Sequence, residues 1–215
     1  MSSDLTSLIA KVQAIVQDPG FTPASITLAL NDAMTEIAGG IQRPDSSVLT
    51  SPLPLLYSIS TVATLTTTYR VALPTNYQRD IVFAVDSDGR ELEIFDSFTE
   101  FMRTYPALNQ SGDISAVAVK GGYLYYQPIP TAAETLTVHY HRVPTDMTTG
   151  ASVPDGIPVQ YHNLLVFHAA KEYFSTIEDG LDGAMPNFQK WDSKFMQMLM
   201  RMEASIPADA GITMI

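Results

Sequence analysis

The chain contains no cysteine, which removes disulfide frameworks and thiolate metal sites at once. It is also poor in charge. Only 16% of its residues are Asp, Glu, Lys or Arg, against about 25% in typical soluble domains. A surface this short of charge is expected to face other protein over part of its area. Bases are the scarcer sign, 12 Lys and Arg against 23 Asp and Glu, for a formal net charge of -11 at pH 7. That balance argues against a reader of nucleic acid, whose phosphate contacts need clustered Lys and Arg. It suits a surface that DNA passes without sticking, because like charges repel. No window approaches the roughly 18 apolar residues of a membrane span, so no membrane partner is expected. The opening "MSSDLTSLIAKVQAIVQDPG" lacks a basic segment followed by an unbroken apolar run, and reads as mature protein without a secretory signal.

What is present is apolar material in two distinct rhythms. Apolar residues make up 46% of 215, enough for one domain with a sizeable core, alone or carrying a small insertion. Leu5, Leu8, Ile9, Val12, Ile15 and Val16 recur at helical spacing until Pro19-Gly20 stops the run. A second helix follows, with Thr22 as N-cap, Pro23 in the first turn and Gly39-Gly40 as terminator. Its apolar face is Ile26, Leu30, Ala33, Met34 and Ile37. Both helices are short, and isolated helices below about 12–15 residues are marginal in water. They are expected to pack on each other and on the C-terminal helices.

From Ile41 to Pro154 threonine, valine and tyrosine dominate and prolines punctuate the runs. "TVATLTTTYRVALP" reads as one or two strands. "IVFAVDSDGRELEIF" reads as a hairpin about Asp88-Gly89, and "ISAVAVKGGYLYYQP" as another about Gly121-Gly122. "ETLTVHYHRVP" supplies a further strand. Between the hairpins Ser97 and Glu100 stand at capping-box spacing, followed by one helical face of Phe98, Phe101, Met102 and Tyr105.

A third major helix, opening near Pro158, carries "LLVFHAA", apolar around nearly its whole circumference. Two short N-terminal helices offer too little cover for it, so a neighbouring subunit is expected to supply the rest. The fourth helix places Phe188, Trp191, Phe195, Met198, Leu199 and Met202 on one stripe and leaves Met196 and Met200 off it. The predicted fold class is therefore α+β: a helical bundle from residues 1–40 and 155–205, a central antiparallel β-rich insertion with one short helix over 41–154, and a C-terminal arm over 206–215. The predicted subunit interface is Leu164, Val166, Phe167, Met196 and Met200.

Catalytic chemistry is sparse. His139 and His141 share a face of a strand, which suits a metal pair, but no third ligand accompanies them. The polar side of an amphipathic strand, with Leu136, Val138 and Tyr140 turned inward, explains them equally well. His162 and His168 lie six apart on a helix, on different faces, and read as core or interface histidines. "EDGLDG" (Glu178 to Gly183) lacks the order of a calcium loop and reads as a helix end and turn. There is no G-x-S-x-G, no P-loop and no dinucleotide fingerprint. No catalytic residue, metal or cofactor is assigned. Two alternatives stay open. One is a carbohydrate- or receptor-binding β module stacking its ligand on Tyr123, Tyr125 and Tyr140. The other is a cell-wall hydrolase acting through two of the acids.

"ALPTNYQRDI" (Ala72 to Ile81), "GGYLYYQPIP" (Gly121 to Pro130) and "TLTVHYHRVP" (Thr135 to Pro144) occur in that order, followed by "YHNLLVFHAAKEYF" and "NFQKWDSKFMQML". The series resembles the head-to-tail adaptor proteins of tailed bacteriophages, also called connector or head-completion proteins, over roughly residues 5 to 205. The resemblance implies a non-enzymatic virion protein of the phage neck, made in the bacterial host cytoplasm. Such proteins form a ring, typically of twelve copies, beneath the portal, extend the DNA channel and offer a docking surface to the tail or nozzle. It also implies a C-terminal arm that clasps the portal, here with Ile206, Ile212, Met214 and Ile215 as apolar anchors.

Overall fold

The computed structural model describes residues 3–41, 52–178 and 185–206. In chain order, α1 (Leu5–Val16) and α2 (Pro23–Gly39) lead into β1 (Tyr57–Ala63), β2 (Arg70–Ala72), β3 (Tyr77–Val85) and β4 (Glu93–Phe95). Then come α3 (Phe98–Thr104), β5 (Ala116–Lys120), β6 (Tyr123–Gln127), β7 (Thr135–Arg142), α4 (Asn163–Ile177) and α5 (Pro186–Ser205). The class is α+β. The chain divides into a helical unit, which ends at Leu56 and resumes at Val143, and a β-rich unit, Tyr57–Arg142.

In the helical unit local chemistry starts each N-terminal helix. The Asp4 carboxylate accepts from the Ser7 N–H at the head of α1, and the Thr22 hydroxyl accepts from the Ser25 N–H at the head of α2, with Pro23 in the first turn. Leu5, Leu8 and Val12 of α1 and Ile26, Leu30, Ala33, Met34 and Ile37 of α2 are buried at helical spacing. α4 packs against α1, α2 and α5, and Leu164, Leu165, Val166, His168, Ala169 and Ala170 are buried between them. α5 contributes Trp191, Phe195, Leu199 and Met202.

The segments flanking the β-rich unit complete this core. Leu53, Leu56, Met147 and Ile157 belong to the same apolar cluster. Asn31 of α2 ties the second segment down: its side-chain N–H donates to the Met147 carbonyl at 3.2 Å, and its oxygen accepts from the Met147 N–H at 3.0 Å. Here the structure departs from expectation. The apolar circumference of α4 is covered within one chain, because residues 53–56 and 147–157, counted by sequence with the insertion, pack with the helices instead.

The β-rich unit has two sheets. One runs β1-β7-β3, antiparallel throughout. The other runs β2-β6-β5-β4. Val62, Ala84, Leu136, Val138 and Tyr140 from the first sheet meet Val117, Leu124 and Tyr126 from the second in one buried cluster. On the far face of the second sheet, Ala116, Ala118 and Tyr125 pack against Phe101 of α3. α3 begins as its sequence indicates, with the Ser97 hydroxyl accepting from the Glu100 N–H.

The Gly121-Gly122 hairpin forms as read. Lys120 pairs with Tyr123, and the two glycines between them hold φ at 57° and 80°, the left-handed values a tight turn matching strand twist requires. The other expected hairpin opens. Val85 bridges Glu91 around the Asp88-Gly89 turn, but β4 then leaves β3 and pairs parallel with β5 in the second sheet. The insertion is thus not wholly antiparallel. The turn serves as a crossover between layers.

Candidate functional site

The side chains that the fold leaves open on the surface are the first candidates for a site. The five interface residues expected from sequence divide sharply. Leu164 and Val166 are sealed inside the single chain at 0% and 2% exposure, which withdraws them from any contact surface of the folded protomer. Phe167 is half-buried, stacked on Trp191 with ring centroids 5.7 Å apart, and the Lys194 ammonium lies 4.4 Å from the Trp191 centroid. Met196 is half-buried against the core. Met200 alone of the five is exposed, at 52%. Of the arm anchors, Ile206 packs against the helical core and its N–H meets the Met202 carbonyl at 3.1 Å. Ile212, Met214 and Ile215 lie outside the described residues, as does most of "EDGLDG".

The tyrosines do not form a platform. Tyr123 is 40% exposed, with the Arg70 guanidinium 4.6 Å from its ring centroid. Tyr125 faces α3, its ring 4.7 Å from that of Phe98. Tyr140 is buried between the sheets, its hydroxyl donating to the Asn76 side-chain oxygen at 2.6 Å. Tyr123 and Tyr125 share a face of β6, as strand alternation requires, and both flank the Arg70 guanidinium, while Tyr140 is buried apart from them.

His139 and His141 do share the outer face of the three-stranded sheet. The Tyr57 hydroxyl bonds to His139 Nδ1, and the Phe83 ring stands edge-on to His139 at 5.2 Å. Burial pushes both imidazoles below the usual histidine range, in His141 with Asp80 opposing and Arg79 assisting. Neutral rings of this kind are sheet packing with a polar edge. His162 is also held below the usual range by burial, with Nε2 at 2.9 Å from the Ile157 carbonyl. His168 Nε2 meets Glu36 Oε2 at 2.8 Å, and this bond draws the Glu36 carboxyl below its ordinary range against the opposing effect of burial.

Among the described residues no three His, Asp or Glu side chains gather at ion-binding distance. Where acids do converge, at Asp86, Asp88 and Asp113, the Arg90 guanidinium already occupies the centre, at 2.7, 3.4 and 3.2 Å. A cleft of about 410 Å³ in the β-rich unit has Ile81, Ile94, Val117 and Val119 in its lining, together with Asp80 and Asp96. Tyr77 is the other titratable group in its lining, with its phenol raised above the ordinary range chiefly by burial. The Asp80 carboxylate is paired with Arg79 at 2.9 Å.

The surface also carries features that the sequence reading passed over. Leu28 of α2 is 64% exposed and Ile59 of β1 57%. The exposed residues of α5 include Lys190, Lys194 and Arg201, while its acids, Asp192 and Glu203, are half-buried on other sides of the helix. A helical-wheel count of α5 by charge shows this stripe; counting only its apolar stripe hid it. A sequence model described as SU10 adaptor protein matches residues 3–212. No curated protein matches the chain.

Proposed function

The chain belongs to the SU10 adaptor protein family, a family of structural adaptor proteins of bacteriophages, and on that premise we propose that it is the head-to-tail adaptor of a phage virion. Copies assemble as a ring under the portal, extend the DNA channel and present a docking surface to the tail or nozzle. The observation that carries this reading is the family match over nearly the whole chain. It is supported by the apolar side chains left open on helices, Leu28 and Met200.

The subunit interface is accordingly placed on the surface around Met200, with Phe167 and Met196 supporting it from beneath. The portal-docking arm runs over 206–215, with Ile206 packed on the helical core and Ile212, Met214 and Ile215 as its further apolar anchors. The acidic balance lets duplex slide past without sequence-specific binding.

The test is imaging of the purified chain alone and mixed with the portal protein of the same phage. Rings, formed alone or on the portal, are expected. A chain truncated after Ser205 is expected to keep the helical fold and to lose portal binding. A protein that stays monomeric and is not recruited by portal particles overturns the proposal.

A further inference from the structure

The exposed arc of α5 carries bases of one sign. Lys190, Lys194 and Arg201 fall within about 40° of one another around an ideal helix axis, and they are three of only 12 bases in the chain. Met200, 52% exposed, lies about 80–120° from them, at the other edge of the exposed arc. α2 is the reverse case. It has no basic residue, and its exposed residues include Ala24, Leu28, Asp32 and Thr35, with Glu36, bonded to His168, on the flank. Leu28, Asp32 and Thr35 stand at i, i+4 and i+7, a low ridge with one open apolar side chain and an acid beside it. α2 and α5 both pack against α4 in the same unit, so one folded protomer presents both faces.

We propose that the basic face of α5 seats on the acidic face of α2 of a second copy of this chain, head to tail. The partner is argued from charge. Copies with a net charge of -11 repel one another over most approaches, and these two faces offer local attraction, with Met200 at the far edge of the exposed arc of α5 and Leu28 on the α2 ridge as flanking apolar side chains. Because the two faces are different patches, the contact is heterologous, and a heterologous contact generates a ring when its rotation closes. The inference rests on the ring reading above and names the surface that would close it.

The test is reciprocal charge reversal in the full chain. Lys194→Glu/Arg201→Glu makes both faces acidic, and Asp32→Lys/Thr35→Lys makes both basic. All four positions are exposed, and thermal unfolding followed by circular dichroism confirms that each variant folds. Assembly is read by native mass spectrometry and negative-stain imaging, alone and on portal particles, at low ionic strength. Each variant alone is expected to need at least ten-fold more protein to form rings. An equimolar mixture is expected to regain wild-type assembly with the two variants alternating. Rescue by mixing cannot arise from misfolding. Variants that assemble like the wild type overturn the interface and leave the adaptor reading standing. Variants that assemble normally while the wild type alone retains duplex DNA overturn it in favour of a phosphate-facing α5. Wild-type protein that forms no ring even on portal overturns both.

Discussion

Asp86 shows how one buried acid organises a crossover between layers. It is 3% exposed, and its carboxylate accepts from the Asp88 N–H at 2.9 Å, the Arg90 N–H at 2.8 Å and Arg90 Nε at 2.7 Å. Burial alone would raise its pKa, but these bonds together hold it below the ordinary carboxylate value. Asp86→Ala leaves two backbone donors short of a partner and is expected to cost about 1–3 kcal/mol in urea unfolding at neutral pH. The sign with pH follows. A depressed carboxyl stabilises the fold fully above its unfolded value, about 3.9, and loses that contribution as pH falls through the lower folded value. The gap between wild type and Asp86→Ala should therefore shrink in acid. Histidines supply the opposite case. His139, His141 and His162 are pushed down by burial, so the unfolded chain takes up protons first as pH falls below about 6.5. Proton-detected titration is expected to place all three below that value, with the melting temperature falling between pH 7 and 5.5. A ring titrating above it would contradict the burial described.

At the scale of elements, α3 holds by one residue more than by its length. Phe101 is fully buried and meets Phe95, Phe98 and Tyr105 at 5.7, 6.0 and 5.4 Å. A seven-residue helix is too short to persist unaided, so Phe101→Ala is expected to cost about 3–5 kcal/mol and to release α3 from the sheet, read as amide-exchange protection lost over Phe98–Thr104. This element was legible in the sequence, because a cap at Ser97 and an aromatic face at helical spacing are both local signals. So were α1, α2 and the Gly121-Gly122 turn, whose residues state their own backbone geometry. The partner of β4 was not. Asp88-Gly89 announces a turn, but whether the following strand returns to β3 or joins β5 depends on which layer has room, and that is decided by residues far along the chain. The burial of Leu164 and Val166 was hidden for the same reason. They share one apolar cluster with Leu53, Leu56 and Met147, residues that stand outside the periodic helices. Of the proposed assembly surface, Met200 was legible as a side chain left off the stripe, while Leu28 lay on a helix judged only by its buried face.

At the scale of the whole molecule, charge is the governing quantity. A formal charge of -11 with few clustered bases predicts little grip on DNA. Fluorescence anisotropy of the isolated chain with duplex DNA at about 0.15 M salt is expected to give binding weaker than the roughly 10⁻⁴–10⁻⁶ M of non-specific DNA-binding proteins. Tight, salt-sensitive binding would contradict a channel that lets DNA slide. The same charge makes assembly conditional. Oppositely charged exposed faces attract over about 10 Å at 0.1 M salt and less at higher salt, so rings held partly by the α5 and α2 faces should loosen as salt rises.

The seam at Leu56/Tyr57 and Arg142/Val143 has a consequence beyond folding. β1 and β7 are paired antiparallel from Tyr57 opposite His141 onward, so the β-rich unit leaves the helical chain and returns to it at almost one point. Such a cassette can be lengthened, trimmed or exchanged for another without altering the span its flanking segments must bridge. A lineage can recut this module while the framework of helices is left as it was.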